Sequence, residues 1–192
     1  MNGERKPAPG RIRIIGGNLR NSRLRVPELP GLRPTPERVR ETLFNWLAPV
    51  IEGARCLDLC AGTGALGIEA CSRGAASVQF VERDARAAQA LRENLQRLNV
   101  EAQVSTLEAA TFLRGTAQAF DLVFLDPPFA AQLWVELASQ LEAGGWLAAN
   151  ALIYVESSRV GVAGLPANWV THREGRAGEV GFALYRRWLP LS

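Results

Sequence analysis

The segment that most constrains this chain is Cys56-Leu57-Asp58-Leu59-Cys60-Ala61-Gly62-Thr63-Gly64-Ala65-Leu66-Gly67. A short apolar strand, Cys56–Cys60, runs into a glycine turn and then into a helix, Ala65–Arg73. Glycines let the backbone turn sharply and approach a ligand, and the helix start that follows favours negative charge. The strand-to-helix pattern then repeats. Ser77–Glu82 reads as the second strand, and Asp84–Leu98 as a helix with Ala88, Leu91, Leu95 and Leu98 on one face. Ala102–Thr106 and Phe120–Leu125 read as further strands, with a helix near Glu108–Leu113 between them. Ala130–Glu142 reads as helical and Trp146–Glu156 contains another strand. Trp169–Trp188 lacks helical periodicity and reads as a closing antiparallel pair turning around Gly175–Gly178. Such alternation predicts an α/β, Rossmann-like fold: a mostly parallel sheet with helices on both faces. Ligands of such sheets sit at the carboxyl ends of the strands, so the loops after Cys60, Glu82, Thr106 and Leu125 should share one crevice.

Ahead of this unit the chain has a different character. Residues 1–10 read as a loose tail. Residues 11–26 alternate apolar and basic side chains around Gly16, Gly17 and Asn18, the pattern of a β-hairpin with a tight turn and one arginine-studded face. Pro27, Pro30 and Pro34 keep the connection extended. Thr35-Pro36-Glu37 reads as a helix start, with Thr35 as the cap, and Val39, Leu43, Trp46, Leu47 and Val50 form its buried stripe. The expected division is a basic tail and hairpin extension over 1–34 and one domain over 35–192.

Charge follows the same division. Residues 1–40 hold ten Arg or Lys against three Glu, a balance of +7, so with a total of +3 the remaining 152 residues carry −4. A basic front on an acidic body suggests a polyanionic partner met by the front. The 192 residues contain no apolar run long enough for a membrane span, and Met1–Gly10 is polar, which reads as a cytoplasmic protein. Cys56, Cys60 and Cys71 lack metal-knuckle spacing and His172 is the lone histidine, so no metal site and no Ser/His/Asp triad is expected.

Gly62, Gly64 and Gly67 satisfy G-x-G-x-x-G, with Glu82 twenty residues after the first glycine, which on spacing alone also fits a dinucleotide. Asp58 tilts the choice. A carboxylate before the glycines is awkward beside a pyrophosphate but suits a cationic ligand. S-adenosylmethionine offers an ammonium for Asp58, a carboxylate for backbone N–H groups near Gly62–Gly64, and ribose hydroxyls for Glu82. Downstream, Asp126-Pro127-Pro128-Phe129 follows the strand Phe120–Leu125. The prolines make a stiff loop. Asp126 and the Pro127 carbonyl can accept hydrogen bonds from both N–H groups of an exocyclic base amine, pulling its nitrogen towards tetrahedral geometry. Phe129 offers a face for a splayed-out base.

With these residues in place the chain resembles the class I S-adenosylmethionine-dependent methyltransferases of the amino-methylating type, whose tetrad is [DNS]-P-P-[YFW]. Arg13–Gly17, Arg33–Trp46 and Leu152–Glu156 look more specifically like the bacterial RsmD family, over roughly residues 11 to 188. The resemblance implies methylation of N2 of a guanine in 16S ribosomal RNA, at guanine 966, in RNA that is free or within a partly assembled small subunit; nothing in the sequence suggests more than a monomer. It implies cofactor binding through Asp58, Ala61, Gly62, Thr63, Gly64, Glu82 and Arg83, with Glu108 and Ala109 at the adenine, and catalysis by Asp126, Pro127, Pro128 and Phe129. Glu108 departs from the pattern, since methyltransferases of this kind usually place a shorter Asp or Asn there. Arg11, Arg13, Arg20, Arg23 and Arg25 are the expected phosphate contacts. Three alternatives stay open. A DNA adenine-N6 methyltransferase shares the tetrad logic. A nicotinamide oxidoreductase fits the glycine spacing, although the sole lysine, Lys6, leaves no Tyr-x-x-x-Lys pair. A ribosome-binding module without catalysis would not need the intact tetrad.

Overall fold

The computed structural model describes residues 10–128, 132–158 and 161–189. The main sheet has seven strands: β3 (Arg55–Asp58), β4 (Ser77–Val81), β5 (Gln103–Ser105), β6 (Phe120–Leu125), β7 (Leu147–Ser157), β8 (Trp169–Ala177) and β9 (Val180–Arg187). Their spatial order is β5-β4-β3-β6-β7-β9-β8. Pairings among β5, β4, β3, β6 and β7 are parallel, and β9 closes antiparallel onto β7 and β8. The chain winds outwards from β3 to β5 and then restarts on the other side at β6. The crevice between the ends of β3 and β6 is therefore the topological switch point, where open α/β sheets bind ligands.

Side-chain alternation sorts the strands into two cores. Cys56, Phe80, Leu122, Phe124, Leu152 and Tyr154 face a layer that includes α1 (Glu37–Leu47), α2 (Ala65–Ser72) and α3 (Ala85–Arg97). Leu57, Val81, Val123, Leu125, Ile153 and Val155 face the other, with α4 (Ala109–Phe112) and α5 (Trp134–Ala143). The expected strands and helices are thus present within one or two residues, except that the helix expected from Ala130 begins at Trp134, and Ala130 itself lies outside the described residues. Among the described residues no helix is long and apolar enough to cross a membrane.

The hairpin is built differently from the expected tight turn. Its strands β1 (Arg11–Arg13) and β2 (Arg23–Arg25) pair antiparallel, but the nine residues 14–22 between them form a loop laid on α2. Glu69 of α2 is the reason. Its fully buried carboxylate accepts hydrogen bonds from Ile15 N at 2.9 Å and Gly16 N at 2.8 Å. It also accepts from Arg73 Nε at 2.9 Å and lies 3.6 Å from the buried Arg40 of α1. Asn18 N and Leu19 N bond to Ser72. Gly17 sits at φ +74, and a Cβ there would lie 1.8 Å from the Ser72 carbonyl oxygen, so only glycine fits. Asn94 of α3 completes the docking, exchanging two hydrogen bonds with the Arg25 backbone.

The start of α1 is a second correction. Pro36 is the N-cap residue and no side chain caps the helix; Thr35 is buried and turned elsewhere. Its inner face carries Arg40 and Phe44 alongside Val39, Leu43 and Leu47, while Val50 is exposed.

Because Glu69 answers two arginines and two backbone donors from within the core, Glu69→Ala leaves charge and N–H groups buried without partners. The expected loss is about 3–5 kcal/mol of folding stability, read as a lowered urea midpoint. Limited proteolysis should then cut first between Ile14 and Ser22. An unchanged midpoint would refute this role for Glu69.

Candidate active site

Four carboxylates gather at the carboxyl ends of the central strands. Asp58 ends β3, Glu82 follows β4, Asp126 follows β6 and Glu156 is the penultimate residue of β7. Parallel registers pair Asp58 with Phe124 and Leu125 with Val155. Asp58 and Glu156 share alternation with Cys56 and Tyr154, so both lie on the sheet face that α1 covers.

The glycine turn shapes the β3 side. Gly62 and Gly64 have φ of +53 and +76, and Gly64 is the residue before α2. A Cβ on Gly64 would lie 2.3 Å from Leu91 Cδ1, and one on Gly67 2.2 Å from Phe80 Cε1. These glycines let α2 pack against α3 and the sheet. Asp58, 2% exposed, accepts a hydrogen bond from Gly67 N at 3.0 Å, in the first turn of α2. Desolvation nonetheless pushes its carboxyl up to about 7, opposed by that hydrogen bond and reinforced by Glu82. Ala61 N donates to Val81 O at 2.9 Å, and the Thr63 hydroxyl accepts from Ala65 N at 3.3 Å.

Glu82 is held by backbone on both oxygens: Gly62 N at 2.7 Å and Asp84 N at 2.8 Å. Asp84, not Glu82, caps α3, accepting from Arg86 N and Ala87 N. Glu82 is therefore a fixed, partly buried acceptor with lone pairs to spare. Glu108 precedes α4 without capping it and lies 3.6 Å from Arg83, in a pair more than half exposed; Ala109 beside it is buried. These two loops bring Arg83 and Glu108 together at the rim.

On the β6 side, Asp126 is partly buried, Pro127 buried and Pro128 exposed, while Phe129 lies outside the described residues. The Thr35 hydroxyl lies 3.5 Å from Asp126 Oδ2 and 3.1 Å from Glu156 Oε2. Tyr154 donates to the same Glu156 oxygen at 2.9 Å, and the Trp134 indole fixes the Glu156 carbonyl at 2.8 Å. Desolvation, then the Glu156 and Asp58 charges, push Asp126 well above the usual carboxylate range, opposed by Thr35. Burial raises Glu156 too, opposed by its Tyr154 and Thr35 hydrogen bonds. Thr35, Tyr154 and Glu156 are residues that motif reading passed over as contributors here. The signal available was Tyr154 and Glu156 two apart at a strand end, which puts them on one face.

Among the described residues no Arg or Lys forms an ion pair with Asp58, Glu82, Asp126 or Glu156. An acid-lined crevice of this kind repels a diphosphate and suits a cationic ligand and a hydrogen-bond-donating substrate. Arg11, Arg13, Arg20, Arg23 and Arg25 all lie exposed on the hairpin, with Ile12 and Leu24 turned inwards. Arg13 is tied to Glu37; among the described residues the other four form no ion pair.

The sheet order and the switch-point crevice define a class I methyltransferase fold. SMU.776, solved with S-adenosylhomocysteine, shares that fold at 14% identity, with a TM-score of 0.70 over 97% of this chain and 58% of that one. A family model described as Conserved hypothetical protein 95 matches residues 12–186, and the chain belongs to that family, the RsmD family. The ribosomal RNA small subunit methyltransferase D of Escherichia coli K12 is 52% identical over 93% of this chain and 91% of its own length. The Haemophilus influenzae protein of the same name is 44% identical over 93% and 95%. The solved yhhF structure from Escherichia coli superposes with a TM-score of 0.87 at 49% identity, covering 94% of this chain and 99% of that one.

Asp58 binds its proton more tightly folded, at about 7, than unfolded, near 3.8. Between those values the folded chain holds more protons, so Asp58 lowers stability as pH rises from about 4 to 7. Without added ligand, Asp58→Asn should remove that part of the decline in urea midpoint between pH 5 and 8. A decline as steep as in the parent would refute it.

Proposed function

We propose that the protein transfers the methyl group of S-adenosylmethionine to the exocyclic N2 amine of a guanine in small-subunit ribosomal RNA. The observation that carries this reading is the convergence of Asp58 and Asp126 in an acid-lined switch-point crevice, in a chain whose relatives are named ribosomal RNA small subunit methyltransferases.

The donor set fits the cofactor. Asp58 is a buried carboxylate whose raised proton affinity a nearby ammonium would relieve. Ala61, Gly62, Thr63 and Gly64 offer backbone beside it, in a turn that the two glycines let pack closely against Leu32 and Leu91. Glu82 suits ribose hydroxyls, while Arg83, Glu108 and Ala109 frame the adenine. When bound, S-adenosylmethionine supplies an electrophilic methyl carbon attached to a sulfonium.

The chain's own residues do the rest. Thr35 approaches Oδ2 of Asp126, so Oδ1 is the oxygen to which the amine donates. The Pro127 carbonyl accepts the second N–H, and Pro128 stiffens the loop that aims it. With both N–H groups engaged, the N2 lone pair is drawn out of ring conjugation and aimed for in-line attack, and positioning supplies much of the rate. As N2 takes the methyl it sheds one proton, and Asp126 accepts it. By its chemistry Phe129 gives the base an aromatic face. A guanine edge offers N1–H and N2–H donors together, whereas adenine offers its N6–H beside an acceptor nitrogen. Two acids, Asp126 and Glu156, favour the edge made of donors. The resemblance extends the proposal to guanine 966 and to RNA within a partly assembled subunit; the sequence's composition adds a cytoplasmic monomer.

Residues 11–26 then form the RNA-gripping extension, with Arg11, Arg13, Arg20, Arg23 and Arg25 on phosphates. Reversing the register partners Arg11 and Arg25 to Glu should weaken RNA binding at least about tenfold and flatten its salt dependence, leaving cofactor affinity unchanged. Unchanged RNA affinity would sink the assignment.

Methyl transfer from labelled S-adenosylmethionine to unmodified small-subunit RNA, with and without its proteins, tests the chemistry. Label in N2-methylguanosine is expected; label in N6-methyladenosine would overturn the base assignment. Asp126→Ala should bind cofactor normally and turn over at least about 100-fold more slowly.

A further inference from the structure

Glu156 exchanges no proton in the mechanism above, yet it is 5% exposed and doubly hydrogen-bonded within the same site. We propose that Glu156 is a positioning residue for the reaction: by holding the Thr35 hydroxyl to itself and standing as a second carboxylate beside Asp126, it leaves Asp126 free to accept the proton released from the amine. The inference rests on the reading of Asp126 as proton acceptor.

The geometry has three parts. Glu156 is itself immobilised, by the Tyr154 hydroxyl on its side chain and the Trp134 indole on its carbonyl. Tyr154 is in turn fixed by burial and by edge-on packing against Phe124, with ring centroids 6.4 Å apart. Thr35 reaches both carboxylates but carries one hydroxyl proton, so it donates to one acid at a time. At 3.1 Å Glu156 is the better-placed acceptor, and Asp126 at 3.5 Å receives at most a weak hydrogen bond. Glu156 therefore keeps the Thr35 hydroxyl, and its carboxyl stands beside Asp126 as a second acid.

The chemical consequence follows from placing two acids around one hydroxyl. The groups that face Asp126 are Glu156 and Tyr154 from β7, Asp58 and Cys60 from β3 and the turn after it, and Thr35 from the approach to α1. Among the described residues no cation is among them, so the Glu156 and Asp58 charges raise Asp126 and only the Thr35 hydroxyl opposes. An ordinary exposed carboxylate accepts the acidic proton of a methylated base amine but holds it loosely. One flanked by a fixed second carboxylate is a better match. In the step itself the methyl carbon–N2 bond forms, the methyl–sulfur bond breaks, and one N2 proton passes to Asp126. Glu156 gains and loses nothing.

The test is the pH profile of kcat at saturating cofactor and RNA, which removes the Asp58-linked effect on cofactor binding. Glu156→Gln removes the second charge and should move the acid limb to lower pH while lowering the plateau about tenfold. Thr35→Val removes the opposing hydroxyl and should move the acid limb to higher pH, and Thr35→Ser should restore the parent profile. Opposite shifts from two contacts of one cluster are not produced by loosened packing. An acid limb that stays put in both variants, or moves the same way in both, overturns the inference. If Glu156→Gln does not fold, the Thr35 pair decides alone: no upward shift in Thr35→Val, or no restoration by Thr35→Ser, rejects it. Product analysis of the parent enzyme in the same series separates the two ideas. A parent that makes no N2-methylguanosine defeats the proposed function, whereas an active parent with unmoved variants defeats only the role of Glu156.

Discussion

The buried carboxylate of Glu69 is the interaction on which the arrangement around the site depends. A charge removed from water must be met by partners on nearly all sides, or the fold loses several kcal/mol. Glu69 meets this demand from three places: the Ile15–Gly16 backbone, Arg40 of α1 and Arg73 just past the end of its own helix. Satisfying one anion therefore fixes the hairpin loop, the first helix and the helix of the glycine turn relative to one another. Arg40 spends two further donors on the Thr35 and Arg13 carbonyls, which ties the approach to α1 into the same cluster. Thr35 is delivered to Asp126 and Glu156 by this chain of contacts, not by local sequence.

A second consequence is that the site is acidic and its surroundings basic. The four carboxylates at the strand ends lie without ion pairs among the described residues, while four unpaired hairpin arginines stand outside. In the proposed reading this separation performs a selection. Phosphates are drawn to the hairpin and repelled from the crevice, so what enters the crevice is an uncharged, donor-rich base. Placing the arginines inside the crevice would raise affinity for RNA and also pair with the acids that accept the amine.

The strands and most helices were legible because each is specified by its own periodicity. Phe120–Leu125 is an apolar run broken only by Asp121 near its start, which reads as a buried strand, and its ends fall where expected. The alternation of Ile12 and Leu24 with arginines likewise showed which hairpin face turns inwards. The Thr35 cap was misread because a hydroxyl before a helix suits two roles, and only a partner 121 residues away decides between them. The same holds for Arg40 and Glu69, whose charge reads as solvent-facing until the tertiary contact that buries both is known. The tight turn at Gly16-Gly17 failed for a related reason. Two glycines fit a reversal, but Gly17 serves here to admit the Ser72 carbonyl, a constraint set by another element.

These misreadings share a direction. The elements themselves come from local pattern, whereas the contacts that join hairpin to helix, and helix to site, run through polar groups whose partners are remote in sequence. Apolar packing tolerates substitution as long as volume and pattern hold. A buried hydroxyl between two carboxylates, or a carboxylate between two arginines, does not. A variant of this chain could therefore keep the sheet order intact while losing the register of Thr35 against Asp126 and Glu156. That makes the polar joints, and not the sheet, the part of the structure on which the proposed site depends.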